Sequence, residues 1–229
     1  ANAKMILFEN VPAITTKTAE KNSSQLIVDI LKNELEESGY TNYEEFILNA
    51  VDYGVPQKRS RFFNLATKDQ NLKLSPPEAT SDKAVTVKVA LCGLTNVVPN
   101  SDAEKKSYTR AKSDYADLMR DNEFWKIDTG TANTLTYHMP MRHRACTLER
   151  FALLKQGESL KNLFERYVGA EREKLQERRV LPKKMFIKRN YRLKSNAPSP
   201  TVTSHCLDEF VHPKYDRALT VRECARLQS

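Results

Sequence analysis

Gln57, Arg59 and Arg61 alternate along a short segment that runs into Phe62-Phe63. In an extended strand all three point to one face, with Ser60 and Phe62 on the other. One amide and two guanidinium groups on one side make a donor-rich ledge, suited to a planar oxygen ligand such as a phosphate or a base carbonyl. Taken alone, two arginines on a strand also describe an ordinary solvated surface. A second stretch narrows the choice. Met5-Ile6-Leu7-Phe8-Glu9-Asn10-Val11-Pro12 is an apolar run of strand length that ends on a carboxylate. A strand buried on both faces reads this way, and α/β sheets bind ligands at the C-terminal ends of their strands.

The surrounding elements must bring these groups into place. Tyr53-Gly54-Val55-Pro56 is a turn, since glycine tolerates positive φ and proline forbids helix just before it. With Phe46–Val51 leading in and Arg61–Ala66 leading out, it predicts a hairpin carrying the arginines on its return strand. Between the first strand and the hairpin, Leu26, Ile27, Ile30, Leu31 and Leu35 recur at helical spacing. Asn22 or Ser23 is the expected cap and Gly39 the stop. Strand, helix and strand read as part of a doubly wound α/β sheet. Leu74-Ser75-Pro76-Pro77 breaks the pattern and places a domain boundary between about residues 68 and 80.

Beyond it, Val85–Leu94 is a short apolar helix or strand. Ser101-x-x-Glu104 is a capping-box pattern that predicts a helix carrying Tyr108, Ala111, Tyr115, Leu118 and Met119. Thr147 opens a helix over Leu148–Lys155 that ends near Gly157, and 197–203 is a loop entering a strand. Thr220-x-x-Glu223 is a second capping box starting the last helix.

At 229 residues and 40% hydrophobic composition the chain can bury one large core or two small ones. No apolar run approaches membrane-spanning length and no signal-peptide pattern is present, so a cytoplasmic protein is expected. Cys92, Cys146, Cys206 and Cys224 are scattered and read as reduced core thiols. His138, His143 and Cys146, or His205, Cys206 and His212, include no Cys-x-x-Cys pair, so no metal centre is expected. His138 and His143 read instead as polar residues of a loop that would face DNA if the resemblance described below holds.

The net charge of +8 is unevenly spread. Residues 1–70 hold 8 Lys/Arg against 10 Asp/Glu, and residues 71–229 hold 29 against 19. The segment from Arg178 to Lys194 has eight Lys/Arg and no acid, with Phe186 and Tyr191 among them. Such a surplus suits a polyanion, with cations for phosphates and aromatic groups for bases or sugars. Arg178, Arg179, Lys183, Lys184, Lys188, Arg189, Tyr191 and Arg192 are therefore the candidate nucleic-acid contacts, and the resemblance below implies that the partner is double-stranded DNA.

Taken in order, the motifs resemble those of the DNA (cytosine-5) methyltransferases. Glu9-Asn10-Val11 matches the family's Glu-Asn-Val motif, and Gly54-Val55-Pro56-Gln57-Lys58-Arg59-Ser60-Arg61 its Gln-x-Arg-x-Arg motif with the preceding Gly-Val-Pro. Pro198-Ser199-Pro200-Thr201 is similar to a Pro-Ser-Pro-Thr run. Arg217-Ala218-Leu219-Thr220-Val221-Arg222-Glu223-Cys224-Ala225-Arg226-Leu227-Gln228 looks like the closing Arg-x-Leu-Thr-x-Arg-Glu-x-Ala-Arg-Leu-Gln segment.

The resemblance implies methyl transfer from S-adenosylmethionine to C5 of a cytosine flipped out of duplex DNA, in a bacterial or phage restriction-modification setting. It assigns Glu9 to N3 and the exocyclic amine of the base and Arg61 to O2. Arg59 falls nearer a phosphate or holds the loop, and Gln57 supports the backbone of the flipped nucleotide. Asn10, Val11 and Pro12 would shape the turn that aims Glu9, and Arg222 and Glu223 would be structural. It also implies three parts: residues 1–70 as the C-terminal half of a Rossmann-like catalytic domain, 71–216 as an α+β target-recognition domain, and 217–229 as the start of a helix returning to the first. The family's Pro-Cys-Gln nucleophile motif and its glycine-rich cofactor loop have no match here: no cysteine stands between Pro and Gln, and no Gly-x-Gly occurs. The chain thus looks like the C-terminal part of such an enzyme, an expressed fragment or one polypeptide of a split enzyme partnered by its N-terminal half, and by itself inactive. The alternative is a DNA-binding module or recognition subunit without catalytic parts.

Overall fold

The computed structural model describes residues 3–20, 23–126, 134–186, 189–205 and 209–229. The chain is a mixed α/β protein that divides into two compact units. The first comprises residues 1–54 and 58–83, and the second residues 55–57 and 84–229.

The first unit is a three-stranded sheet with one helix on it. β1 (Met5–Asn10) and β2 (Asn42–Asn49) flank β3 (Ser60–Thr67), and both run antiparallel to it. The strand-helix-strand passage is present, but β1 and β2 do not pair with each other. The return strand of the hairpin lies between them. Its inward side chains Phe62, Asn64 and Ala66 are all buried, so the centre of the sheet is where this strand loses least.

Alternation sorts the sheet into two faces. Ile6, Phe8, Phe62, Ala66 and Tyr43 pack against Ile14, Val28, Leu31 and Leu35, which come from a 3-10 turn (Pro12–Thr16) and α1 (Ile27–Glu37). The other face holds Met5, Leu7, Glu9, Arg61, Phe63, Leu65, Phe46 and Leu48, as the register requires. On that face Leu7 is 62% exposed.

α1 starts later than the cap residues suggested. The loop before it closes on itself, Ala19 N–H donating to Gln25 and Ile27 N–H to Lys17, so the backbone of Leu26 forms the start of the helix. Ser23 accepts from Gln25 N–H in that loop, and Asn22 lies outside the described residues. Gly39 ends the helix as expected, with φ of 86°.

The second unit has two apolar clusters and little sheet. Val87, Ala90, Tyr115, Leu193, Val202, Phe210, Leu219, Cys224 and Leu227 form one. Phe151, Leu154, Leu160, Leu163, Phe164, Leu181 and Val211 form the other. Among the described residues its helices are α2 (Val87–Ala90), α3 (Asp114–Leu118), α4 (Asn122–Trp125), α5 (Ala145–Leu153), α6 (Leu160–Arg166), α7 (Gly169–Glu177) and α8 (Val221–Gln228). Two-residue strands β4 (Tyr191–Arg192) and β5 (Phe210–Val211) pair in parallel.

The helix expected behind Ser101-x-x-Glu104 does not form. Residues 105 and 106 pair through their backbone with His138 and Leu135, and the Glu104 carboxylate accepts from Tyr137 N–H instead of capping. Helix begins only at Asp114, where Ser113 caps it by accepting from Ala116 N–H. α5 likewise starts at Ala145, ahead of Thr147, and no strand follows residue 200 among the described residues until β5. Cys92, Cys146 and Cys224 form no disulfide among the described residues, and of the three only Cys224 is buried in a core; Cys206 lies outside the described residues.

No helix among the described residues is long and apolar enough to cross a membrane.

Candidate active site

Glu9 and Arg61 meet because of strand register. Glu9 faces Phe63 across the β1–β3 pair, so Arg61, two residues before Phe63, is its diagonal neighbour on the same face. The Arg61 Nε lies 2.7 Å from Glu9 Oε1, with the guanidinium largely shielded and the carboxylate half exposed. Arg61 Nη1 donates to the Ser60 carbonyl at 2.8 Å, which fixes the plane of the guanidinium. Among the described residues nothing engages Glu9 Oε2 or Arg61 Nη2. One acceptor and one donor therefore stand side by side at the sheet surface.

The chain turns immediately after Glu9. Asn10 Oδ1 accepts from Val11 N–H at 2.8 Å, and Pro12 occupies the first position of the 3-10 turn, where its missing N–H costs nothing. On the far side of the hairpin a 3-10 turn (Ala50–Tyr53) ends at Gly54, whose φ of 79° suits glycine. Asn49, to which the sequence alone gave no role, holds this turn. Its Oδ1 accepts from Val51 N–H and from Arg59 N–H, while Ala50 N–H donates to the Arg59 carbonyl. Its signal was an asparagine at the start of a turn, a position where that side chain commonly bonds nearby backbone. Arg59 is thus held through its backbone, just before β3 begins.

Of the three alternating residues only Arg61 lies in β3, and Gln57, like Arg59, falls before it. Gln57 makes a parallel bridge to Ser199, and its side chain is 2% exposed. The amide is engaged at both ends, Oε1 accepting from Val202 N–H at 2.9 Å and Nε2 donating to the Leu227 carbonyl at 3.2 Å. Its expected contact to a nucleotide is replaced by a clamp between the 199–202 loop and the end of α8.

In the closing motif Arg222 and Glu223 take different partners. Glu223 pairs with Arg217, both guanidinium Nη atoms reaching its two oxygens at 2.7 Å, and both side chains are buried. Arg222 instead donates to the carbonyl and hydroxyl of Thr136. Glu223 also completes the predicted capping box with Thr220. Burial alone would raise the Glu223 carboxyl, but hydrogen bonding and charge from Arg217 overcome it and hold it below the ordinary carboxylate range.

His138, expected in a DNA-facing loop, is fully buried: its Nε2 donates to the Thr95 carbonyl at 2.6 Å and Nδ1 meets the Thr220 hydroxyl at 2.9 Å. His143 is partly buried, with its ring edge-on to Phe151 and Nε2 accepting from Ala218 N–H. His212 accepts two backbone N–H groups at Nδ1, from Lys214 and Tyr215. Burial pushes its pKa down to about 4, against the pull of Glu223.

The basic segment divides. Arg192 is buried, donating to the carbonyls of Phe151, His212 and Tyr215 and paired with Asp216, so it belongs to the core rather than to a DNA contact. Tyr191 packs against the larger apolar cluster. Arg178 pairs with Glu149 at 2.6 Å. Arg179, Lys183, Lys184 and Arg189 are exposed, and Lys188 lies outside the described residues.

A family model for C-5 cytosine-specific DNA methylases matches residues 1–229. The chain belongs to that family. It is 30% identical over 233 residues to the type II methyltransferase M.DdeI of Desulfomicrobium norvegicum, covering 99% of this chain and 52% of that protein. It is 26% identical to the type II methyltransferase M1.HphI of Haemophilus parahaemolyticus, covering 99% of this chain and 47% of that one. A crystal structure described as a DNA modification methyltransferase encoded within an E. coli prophage superposes with a TM-score of 0.64 at 25% identity. That match covers 99% of this chain and 59% of the other. The chain spans about half the length of these relatives.

Proposed function

We propose that this chain is the base-polarising and DNA-recognition part of a DNA (cytosine-5) methyltransferase of the type II restriction-modification kind. The observation that carries the reading is the Glu9–Arg61 pair, which sets a carboxyl group and a guanidinium side by side on one sheet face. C5 of cytosine is a poor nucleophile, and chemistry there requires electron density pushed onto N3 and O2 to be held. Glu9 can share a proton with N3 or accept from the exocyclic amine, and Arg61 can donate to O2. Because those atoms are paired inside a duplex, the base must first be flipped out. On this reading residues 1–70 are the C-terminal half of a Rossmann-like catalytic domain, and 71–216 form the target-recognition domain.

The reaction also needs a thiolate and a methyl donor. The family's S-adenosylmethionine does not fit the residues present. The six glycines form no Gly-x-Gly loop that could cradle it, and no cysteine lies in a Pro-Cys-Gln setting. On this reading both the cofactor cradle and the nucleophile belong to polypeptide outside these residues.

The test is to mix the purified chain with the Pro-Cys-Gln half of a type II relative, then measure transfer of labelled methyl groups to duplex DNA. Restored transfer that falls about 10²-fold or more with Glu9→Gln, or with Arg61→Gln, supports the reading, such losses being usual for one polarising group. No transfer from folded halves that still bind DNA would favour a plain DNA-binding module.

A further inference from the structure

In the second unit a cleft of about 330 Å³ opens between the start of α5 and the segment around Pro182, Phe186 and Arg189. Arg142, Arg144, Arg150 and Arg189 line it, and no carboxylate does among the described residues. Two of these cations are already committed. Arg142 pairs with Asp102 at 2.6 Å. Arg150 spans the cleft as a staple, donating to the carbonyls of Val180 and Arg179 and to Asn190 Oδ1, which ties both ends of the basic segment to α5. Arg144 and Arg189 are different. Both are exposed, and among the described residues no carboxylate lies within ion-pair distance of either. Arg189 stacks on the Phe186 ring at 4.8 Å, which leaves its edge N–H groups directed away from the ring face. Two guanidinium groups beside an open, carboxylate-free cleft repel each other unless an anion lies between them.

We propose that this cleft seats a phosphodiester group of the DNA, gripped by Arg144 and Arg189, with Arg150 as the positioning residue that holds the cleft open. The proposal rests on the methyltransferase reading for its ligand, and it goes further by fixing where the backbone is held and by which groups. Phe186 offers an apolar surface for the sugar next to that phosphate. The seat reads no sequence, since phosphate contacts set register and leave base identity to other groups.

The experiment is a binding titration of the protein on two duplexes of unrelated sequence between 50 and 200 mM NaCl, for the unsubstituted protein, Arg144→Gln, Arg189→Gln and the double variant. Each lost phosphate contact lowers the slope of log affinity against log salt by about 0.9, so affinity should vary about 3.5-fold less over that range per contact. The expected result is a loss of one contact per single variant and two for the double, equal on both duplexes, with unchanged melting temperatures. Unchanged slopes in the variants, while the unsubstituted protein remains salt-dependent, overturn the seat and leave the methyltransferase reading standing. Weakening on one duplex only also overturns it, by assigning these arginines to bases. An unsubstituted protein that binds neither duplex with any salt dependence overturns both.

Discussion

Arg217 and Glu223 show how much of the motif chemistry in this chain serves the fold. Two opposite charges with almost no solvent contact are tolerable only because both carboxylate oxygens meet guanidinium nitrogens at 2.7 Å. Removing one leaves the other buried and unpaired. Arg217→Ala should therefore destabilise the protein by about 3–5 kcal/mol, read as a lower urea midpoint, whereas Arg222→Ala, which loses only the Thr136 contacts, should cost about 1–2 kcal/mol. The same cluster predicts a pH response. His212 titrates near 4 in the folded protein but near 6.5 when unfolded, so the unfolded state takes up the proton first as pH falls. Its contribution is whole above pH 6.5, declines down to about pH 4, and amounts to about 3 kcal/mol at most. Glu223, held below the ordinary carboxylate range, adds a further loss at lower pH still, below its unfolded value. Urea midpoints measured from pH 7 to 4 should fall steadily, and His212→Gln should flatten the upper part of that fall. An unchanged profile would place the proton elsewhere.

At the level of elements, the same sequence pattern succeeds in one place and fails in another. Thr220-x-x-Glu223 forms its capping box because α8 has an apolar face, Cys224 and Leu227, that buries in the core. Ser101-x-x-Glu104 does not, because the backbone that follows finds partners across the chain at Leu135 and His138. Local chemistry proposes a helix start, and tertiary pairing decides. The hairpin and α1 were legible because alternation and helical spacing act within a few residues, whereas the meeting of Glu9 and Arg61 depends on the pairing of β1 with β3 and came only from the resemblance. The position of β3 between β1 and β2 was not legible, since strand order depends on which strand buries most. Thr220→Ala should cost about 1–2 kcal/mol, the upper end because the hydroxyl also meets His138. The two faces of the sheet give a sharper contrast. Phe62→Ala, at 2% exposure, should cost about 3–5 kcal/mol, while Leu7→Ala, two-thirds exposed, should cost well under about 1 kcal/mol. Equal costs would mean that the face bearing Glu9 and Arg61 is covered.

Across the whole molecule, the basic surplus of residues 71–229 is not one surface. A buried arginine and a solvated one look alike in sequence, because burial depends on acceptors brought from far along the chain. For Arg192 these come from Phe151, His212 and Tyr215, none of which a local reading could supply. Lys183 and Lys184, nine and eight residues earlier, are exposed. The charge therefore divides into a part that holds the second unit together and a part free to meet a polyanion, and substitution separates them. Lys183→Gln with Lys184→Gln should reduce the salt slope of DNA binding by up to about 2 and leave the melting temperature unchanged. Arg192→Gln should do the reverse. It leaves three carbonyls without their donor and the half-exposed Asp216 without its partner, lowering stability by about 2–3 kcal/mol, while the fraction still folded keeps the original salt slope. If the lysine pair changed stability and Arg192→Gln changed only the slope, the division of the basic segment into core and surface would be wrong.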